Sequence, residues 1–190
     1  LHSAGQNVRL EGPTDNGTPT NWTAGYTRGT TTVTVGSTTG IAVGDWVYLQ
    51  AAFPHELGIG DACDPGILGA RNFAYEKVTA VNSGANTITF DHGLRSDFSN
   101  AVACQQIVAK MNPISRSGIE SMTITIIDPS NNGWTWHSPT GVSNTAESWV
   151  RDVRYEGGLG AENAGGMNNF ISLQLSARIL IDKVWLSKMF

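Results

Sequence analysis

A six-residue pattern that returns twice at a fixed step constrains this chain more than any other feature. Ile119-Glu120-Ser121-Met122-Thr123-Ile124, Val150-Arg151-Asp152-Val153-Arg154-Tyr155 and Ile181-Asp182-Lys183-Val184-Trp185-Leu186 all read apolar, charged, polar, apolar, variable, apolar. Their starts at 119, 150 and 181 are 31 residues apart each time. One short β-like segment per period, with a period of roughly 20 to 50 residues, marks a solenoid whose coils stack strand on strand. A helical solenoid would need two amphipathic helices per repeat. The segments 129–148 and 156–170 are too rich in Gly, Asn and Ser for that.

Stacked coils place equivalent residues above one another at the strand spacing of about 4.8 Å, so each position becomes a ladder. Met122, Val153 and Val184, with Ile124, Tyr155 and Leu186, are expected to point inward by the two-residue strand period. Thr123, Arg154 and Trp185 are expected to face outward. The apolar first position breaks simple alternation with the fourth, which predicts a corner or bulge at positions two to three. Glu120, Arg151 and Asp182 would then form a ladder of alternating sign that specifies register more than it stabilises.

Ser117-Gly118-Ile119-Glu120-Ser121-Met122-Thr123-Ile124, Ser148-Trp149-Val150-Arg151-Asp152-Val153 and Ser176-Ala177-Arg178-Ile179-Leu180-Ile181-Asp182-Lys183-Val184 resemble the coil sequence of bacterial right-handed parallel β-helix proteins of the pectate-lyase-like superfamily. Asn7-Val8-Arg9-Leu10-Glu11-Gly12 is similar to the first-coil segment of those proteins. The resemblance implies an all-β chain: a right-handed parallel β-helix, or solenoid, with an inserted antiparallel β module. Residues 1–25 are expected to supply the N-terminal first-coil segment, residues 26–110 the module with its long loop, and residues 111–190 the coils. Within the module, Thr30–Val35, Val43–Leu49, Tyr75–Val81 and Thr87–Phe90 read as strands, the last two as a hairpin. Asp45 is expected to hold a turn through backbone amides.

A formal net charge of −4 with 15% charged residues, and no Lys/Arg cluster, argues against nucleic acid as partner. No apolar run approaches the roughly 20 residues that span a membrane. Ile179–Phe190 reads as a strand in progress without a polar cap, which implies a fragment of a longer protein, or an open solenoid end available for self-association or another subunit. Cys63 and Cys104 have no metal-ligand spacing and pair as a disulfide or stay as buried thiols. A disulfide would imply an extracellular or periplasmic location. His55, Glu56, Asp61 and Asp64 match no metal motif, and neither a metal nor a cofactor is expected.

The superfamily hosts lyases, hydrolases, epimerases, phage tailspikes and non-catalytic surface proteins, so the resemblance implies a polysaccharide partner without fixing any chemistry. Breaking a glycosidic bond needs paired carboxylates, or a carboxylate with Arg or Lys. Asp152, Arg154 and Asp182 are the catalytic candidates, with Arg151 and Lys183 on the same neighbouring coils. Equally, these are the residues of a hydrated, self-satisfied solenoid surface. Trp134, Trp136, His137, Arg151 and Trp185 are the candidates for substrate binding, because indoles are flat platforms for sugar rings. Trp134 and Trp136 share a face and serve equally well as core. A secreted carbohydrate-active protein is therefore the first expectation, with a rigid non-catalytic rod or a phage-type spike as alternatives.

Overall fold

A computed structural model of the chain describes residues 8–13, 16–52, 71–98, 106–126, 139–157 and 170–187. The described elements are all strands, and the chain divides into two compact units, residues 1–14 with 113–190, and residues 15–112. Following β1 (Val8–Glu11), the continuous unit contains β2 (Thr20–Ala24), β3 (Thr32–Val35), β4 (Trp46–Ala52), β5 (Arg71–Asn82), β6 (Thr87–Phe90) and β7 (Ile107–Met111). The coil unit adds β8 (Ile114–Ser115), β9 (Gly118–Ile126), β10 (Thr140–Ser143), β11 (Thr145–Ala146), β12 (Trp149–Gly157), β13 (Ile171–Gln174) and β14 (Leu180–Ser187).

The antiparallel module expected from sequence is a closed six-stranded barrel in the order β2-β3-β6-β5-β4-β7. Alternation of β-branched residues with polar ones sends one side of each strand inward, so Val33, Val35, Val47, Leu49, Ile88 and Val108 form its core. Closure removes the exposed strand edges that an open sheet of this size would carry. The Tyr75–Phe90 hairpin is present, with Asn82 Oδ1 accepting the Ala85 amide across its turn. Asp45 holds a turn as expected: its Oδ2 accepts the Ala42 amide at 2.8 Å and also meets Lys110 Nζ at 3.1 Å. Residues 20–24 fall within the 1–25 stretch expected to supply the N-terminal first-coil segment. They pair instead with β3 and β7, because Trp22 fills the barrel core, 2% exposed, against Tyr26 and Phe98.

In the coil unit three parallel sheets form, β1-β10-β13, β8-β11 and β9-β12-β14, the second extended by a parallel bridge from Ala146 to Ala177. The same 31-residue step operates in all of them, pairing Thr140 with Ile171, Ile114 with Thr145, and Ile119 with Val150 and then Ile181. Only β1 departs, since Val8 pairs with Thr140 across 132 residues. That is 101 more than the step, and the barrel unit, residues 15–112, accounts for 98 of them. The barrel therefore interrupts one coil in sequence without disturbing its register.

The backbone repeats as strictly as the pairing. Ser121, Asp152 and Lys183 have φ of 54°, 54° and 49°; Arg116, Glu147 and Arg178 have 55°, 49° and 54°; Asn144 and Leu175 have 47° and 45°. Each left-handed residue costs about 1 to 2 kcal/mol, and none of these eight is β-branched, the class that tolerates it least. The first of these columns is the bulge expected at positions two to three of the hexad. It lets positions one, four and six all face inward.

Inward positions are fully buried on the middle rung and only in part on the outer rungs, where Ile119 and Ile124 are still buried, 5% and 7% exposed. On the middle rung Val150, Val153 and Tyr155 are 0% exposed, and the Tyr155 hydroxyl bonds Thr140 Oγ1 at 2.7 Å. On the outer rungs Met122 and Leu186, both expected inward, are 37% and 54% exposed, and Ile181 is 46% exposed. Each of these rungs has a neighbour on one side only among the described residues.

All four tyrosines, Tyr26, Tyr48, Tyr75 and Tyr155, have their phenol pKa raised above the ordinary value of 10.0, chiefly by burial. Tyr48 and Tyr75 are also cross-strand neighbours, and Tyr48 raises Tyr75 further. A raised folded pKa contributes stability that is complete below the unfolded value and is lost as pH climbs through the folded one. Unfolding free energy should therefore stay level up to about pH 10 and fall above it. Phenolate absorbance should titrate at higher pH in the native protein than in urea; coincident midpoints would refute the burial assignments.

Candidate functional site

The outer face of the β9-β12-β14 sheet gathers most of the chemically able side chains of the coil unit. Its register places Glu120, Arg151 and Asp182 in one column and Thr123, Arg154 and Trp185 in another. Between these two columns runs the left-handed column of Ser121, Asp152 and Lys183. Of the candidates, Asp152, Arg154 and Trp185 line one groove, Arg151 lines a separate recess on the other side of the left-handed column, and Asp182 lines neither. Trp134, Trp136 and His137, along with Cys63 and Cys104, lie outside the described residues.

A groove of about 610 Å³ opens on this face, lined in part by Ser121, Thr123, Asp152, Arg154, Trp185 and Ser187. The Trp185 indole is 47% exposed at its edge. Asp152 Oδ2 accepts a hydrogen bond from Ser121 Oγ at 3.2 Å on the neighbouring rung. Arg154 Nε donates to Glu156 Oε1 at 2.7 Å and reaches Ser187 Oγ at 3.4 Å on the next rung. A half-exposed indole beside fixed carboxylate and guanidinium groups can stack on the apolar face of a sugar ring while its hydroxyls are hydrogen-bonded. The carboxylates Asp152 and Asp182 occupy adjacent columns on adjacent rungs, and of the two Asp152 lines the groove.

A second recess of about 430 Å³ lies toward the strand starts and is lined by Glu147, Ser148, Trp149, Arg151, Arg178 and Leu180. Trp149 was absent from the sequence candidates, and its role depends on a glycine. Gly118 sits in register with Trp149 on the neighbouring rung, and a Cβ there would collide with the indole atoms Nε1, Cε2 and Cδ1. Without one, the indole lies across Gly118 and donates Nε1–H to Glu120 Oε2 at 2.8 Å. Arg151 meets the same carboxylate at 2.7 Å, and its guanidinium stands 5.7 Å from the Trp149 ring centre. Glycine in register with tryptophan across one 31-residue step was the available signal. A further ladder, Arg116–Glu147–Arg178, has 3.8 Å contacts on each side of Glu147.

In the barrel unit, Glu76, Asp91 and His92 each bring one potential ligand atom within 4.8 Å of the others. His92 Nδ1 is 3.1 Å from Asp91 Oδ1, and all three residues already have polar partners.

No protein-family model and no curated protein matches the chain. Solved structures do. The tailspike gp61 of Pseudomonas phage phi297 aligns with a TM-score of 0.57 and 14% identity over 98% of this chain and 35% of its own. The tailspike gp49 of Pseudomonas phage LKA1 aligns at 0.50 and 18% over 81% of this chain and 25% of its own. The gp54 tailspike of Acinetobacter baumannii bacteriophage AP22, solved in complex with an A. baumannii capsular saccharide, aligns at 0.46 and 12% over 79% of this chain and 25% of its own. At these identities the likeness is one of fold, and the chain spans about a third or less of the length of each tailspike.

Substituting Gly118→Ala should push the Trp149 indole off the flank and cost about 1 to 3 kcal/mol in urea unfolding. Both partners of the Glu120–Arg151 pair are about half exposed, so a double-mutant cycle should give a coupling of only about 0.2 to 1 kcal/mol. An unchanged Gly118→Ala variant would show that the indole does not need the missing side chain.

Proposed function

We propose that the coil unit is a segment of a right-handed parallel β-helix of the tailspike kind, interrupted by a barrel, whose β9-β12-β14 flank recognises a polysaccharide. The fold likeness to two tailspikes supports the architecture. Right-handedness is the hand taken by nearly all parallel crossovers. The single observation that carries the recognition reading is Trp185, half-exposed on a groove shared with Arg154 and Asp152. Ile181 and Leu186 are exposed on the same outer rung, so what sets Trp185 apart is its column: it stands in register with the outward residues Arg154 and Thr123 and lines the groove with them. On this reading the working surface faces the outside of a cell, in keeping with the expected extracellular location.

A second reading adds cleavage, with Asp152 and Asp182 as the carboxylate pair and Arg154 stabilising charge. The adjacent columns and rungs of the two aspartates favour it. It predicts that a polysaccharide bound by the protein is slowly shortened, and that Asp152→Asn binds the same polymer without shortening it.

Trp185→Ala is the direct test of recognition. The side chain is outward and half-exposed, so circular dichroism and urea midpoint should hardly change. Affinity for a bound polysaccharide should fall about tenfold or more, the equivalent of about 1.4 kcal/mol and within the range of an aromatic contact. Unchanged affinity would remove the groove from the binding surface.

A further inference from the structure

Resting on the proposal that this flank recognises polysaccharide, we infer that the polymer is uncharged where it meets the flank: its repeat unit offers hydroxyls rather than carboxylates. Arginines on a β-helix flank invite the opposite conclusion, because guanidinium is well suited to uronate carboxylates. In this chain the arginines are already engaged. Every described arginine of the coil unit contacts a carboxylate of its own chain: Arg9 with Glu11 at 3.3 Å, Arg116 and Arg178 with Glu147 at 3.8 Å, Arg151 with Glu120 at 2.7 Å, and Arg154 with Glu156 at 2.7 Å.

Of the three arginines that line the groove and the recess, Arg151 and Arg154 have the shortest contacts and Arg178 a longer one to Glu147, so a uronate arriving at the first two would have to displace Glu120 or Glu156 or approach beside them. The outward columns of the β9-β12-β14 face hold the carboxylates of Glu120, Asp152, Glu156 and Asp182 against the cations of Arg151, Arg154 and Lys183, one negative charge in excess. A carboxylated polymer therefore finds a groove whose one arginine is balanced by Asp152 and paired with Glu156, on strands with a slight excess of negative charge. Hydroxyls meet no such penalty. Paired carboxylate and guanidinium groups held by the rungs offer acceptors and donors side by side, which vicinal hydroxyls can satisfy together, and Trp185 supplies the apolar platform.

The test is an array of bacterial surface polysaccharides, neutral ones together with uronate- or sialate-bearing ones, each acidic polymer also printed in carboxyl-reduced form. The full chain is applied at low and moderate salt, and Trp185→Ala serves as the control for the flank. Binding should select neutral polymers. For any acidic polymer that binds weakly, carboxyl reduction should raise affinity about tenfold, the size of one like-charge contact. Glu120→Gln with Glu156→Gln, which releases both arginines, should narrow that gap. Preference for native acidic polymers over their reduced forms, with affinity that falls as salt rises and depends on Trp185, would overturn the inference while keeping the flank as a glycan site. Absence of binding to every polymer would overturn the polysaccharide proposal itself, and this inference with it.

Discussion

Parallel hydrogen bonding between β9, β12 and β14 is the constraint on which the rest of the flank depends. It fixes residues 31 apart at one lateral position, so each place in the hexad becomes a column of side chains about 4.8 Å apart. A shift of one residue in any rung would exchange its inward and outward sets, turning Val153 and Tyr155 out and Arg154 in. Complete burial of Val150, Val153 and Tyr155 on the middle rung resists such a shift far more strongly than the exposed ion pairs could. The charge ladders are therefore a consequence of register and a refinement of it. The proposed recognition surface lies in the columns that packing leaves free.

The left-handed columns show how a costly backbone conformation becomes affordable through repetition. A lone residue at φ near 50° is strained, but a stack of them at one corner makes every rung turn in the same way. Strands on either side of the corner stay in register, and their hydrogen bonds are kept. Because each rung is closed locally, a long excursion of the chain between rungs is tolerated: the step from β1 to β10 carries about one hundred extra residues and still pairs Val8 through Glu11 without a slip. Loop-closure entropy grows only with the logarithm of loop length, and the excursion folds into a barrel with its own core.

Much of this was legible in the sequence, and the limits are informative. Hexad register, the bulge column, and the outward course of Thr123, Arg154 and Trp185 could all be read from periodicity, because a repeat makes three independent copies of one pattern agree. The outer rungs were misjudged. Periodicity says which way Met122 and Leu186 point but cannot say whether another layer covers them. Closure of the module into a barrel was also out of reach: β2 is five residues long, and its membership depends on where the Trp22 indole finds company. Trp149 was overlooked for a related reason. Its position is determined by what Gly118 lacks, and a missing side chain registers in sequence only when the two rungs are laid in register and compared column by column.

Cysteine cross-linking measures most directly whether the three hexads lie as successive parallel rungs. With both native cysteines replaced by serine, Arg154→Cys with Trp185→Cys places the pair on adjacent rungs, within the roughly 4.4 to 6.8 Å between Cα atoms that a disulfide needs. Thr123→Cys with Trp185→Cys places the pair two rungs apart, at about 9.5 Å, beyond that reach. The adjacent pair should close within the chain under mild oxidation and the two-rung pair should stay reduced. Closure of the two-rung pair with failure of the adjacent one would contradict the stacking and the flank built on it.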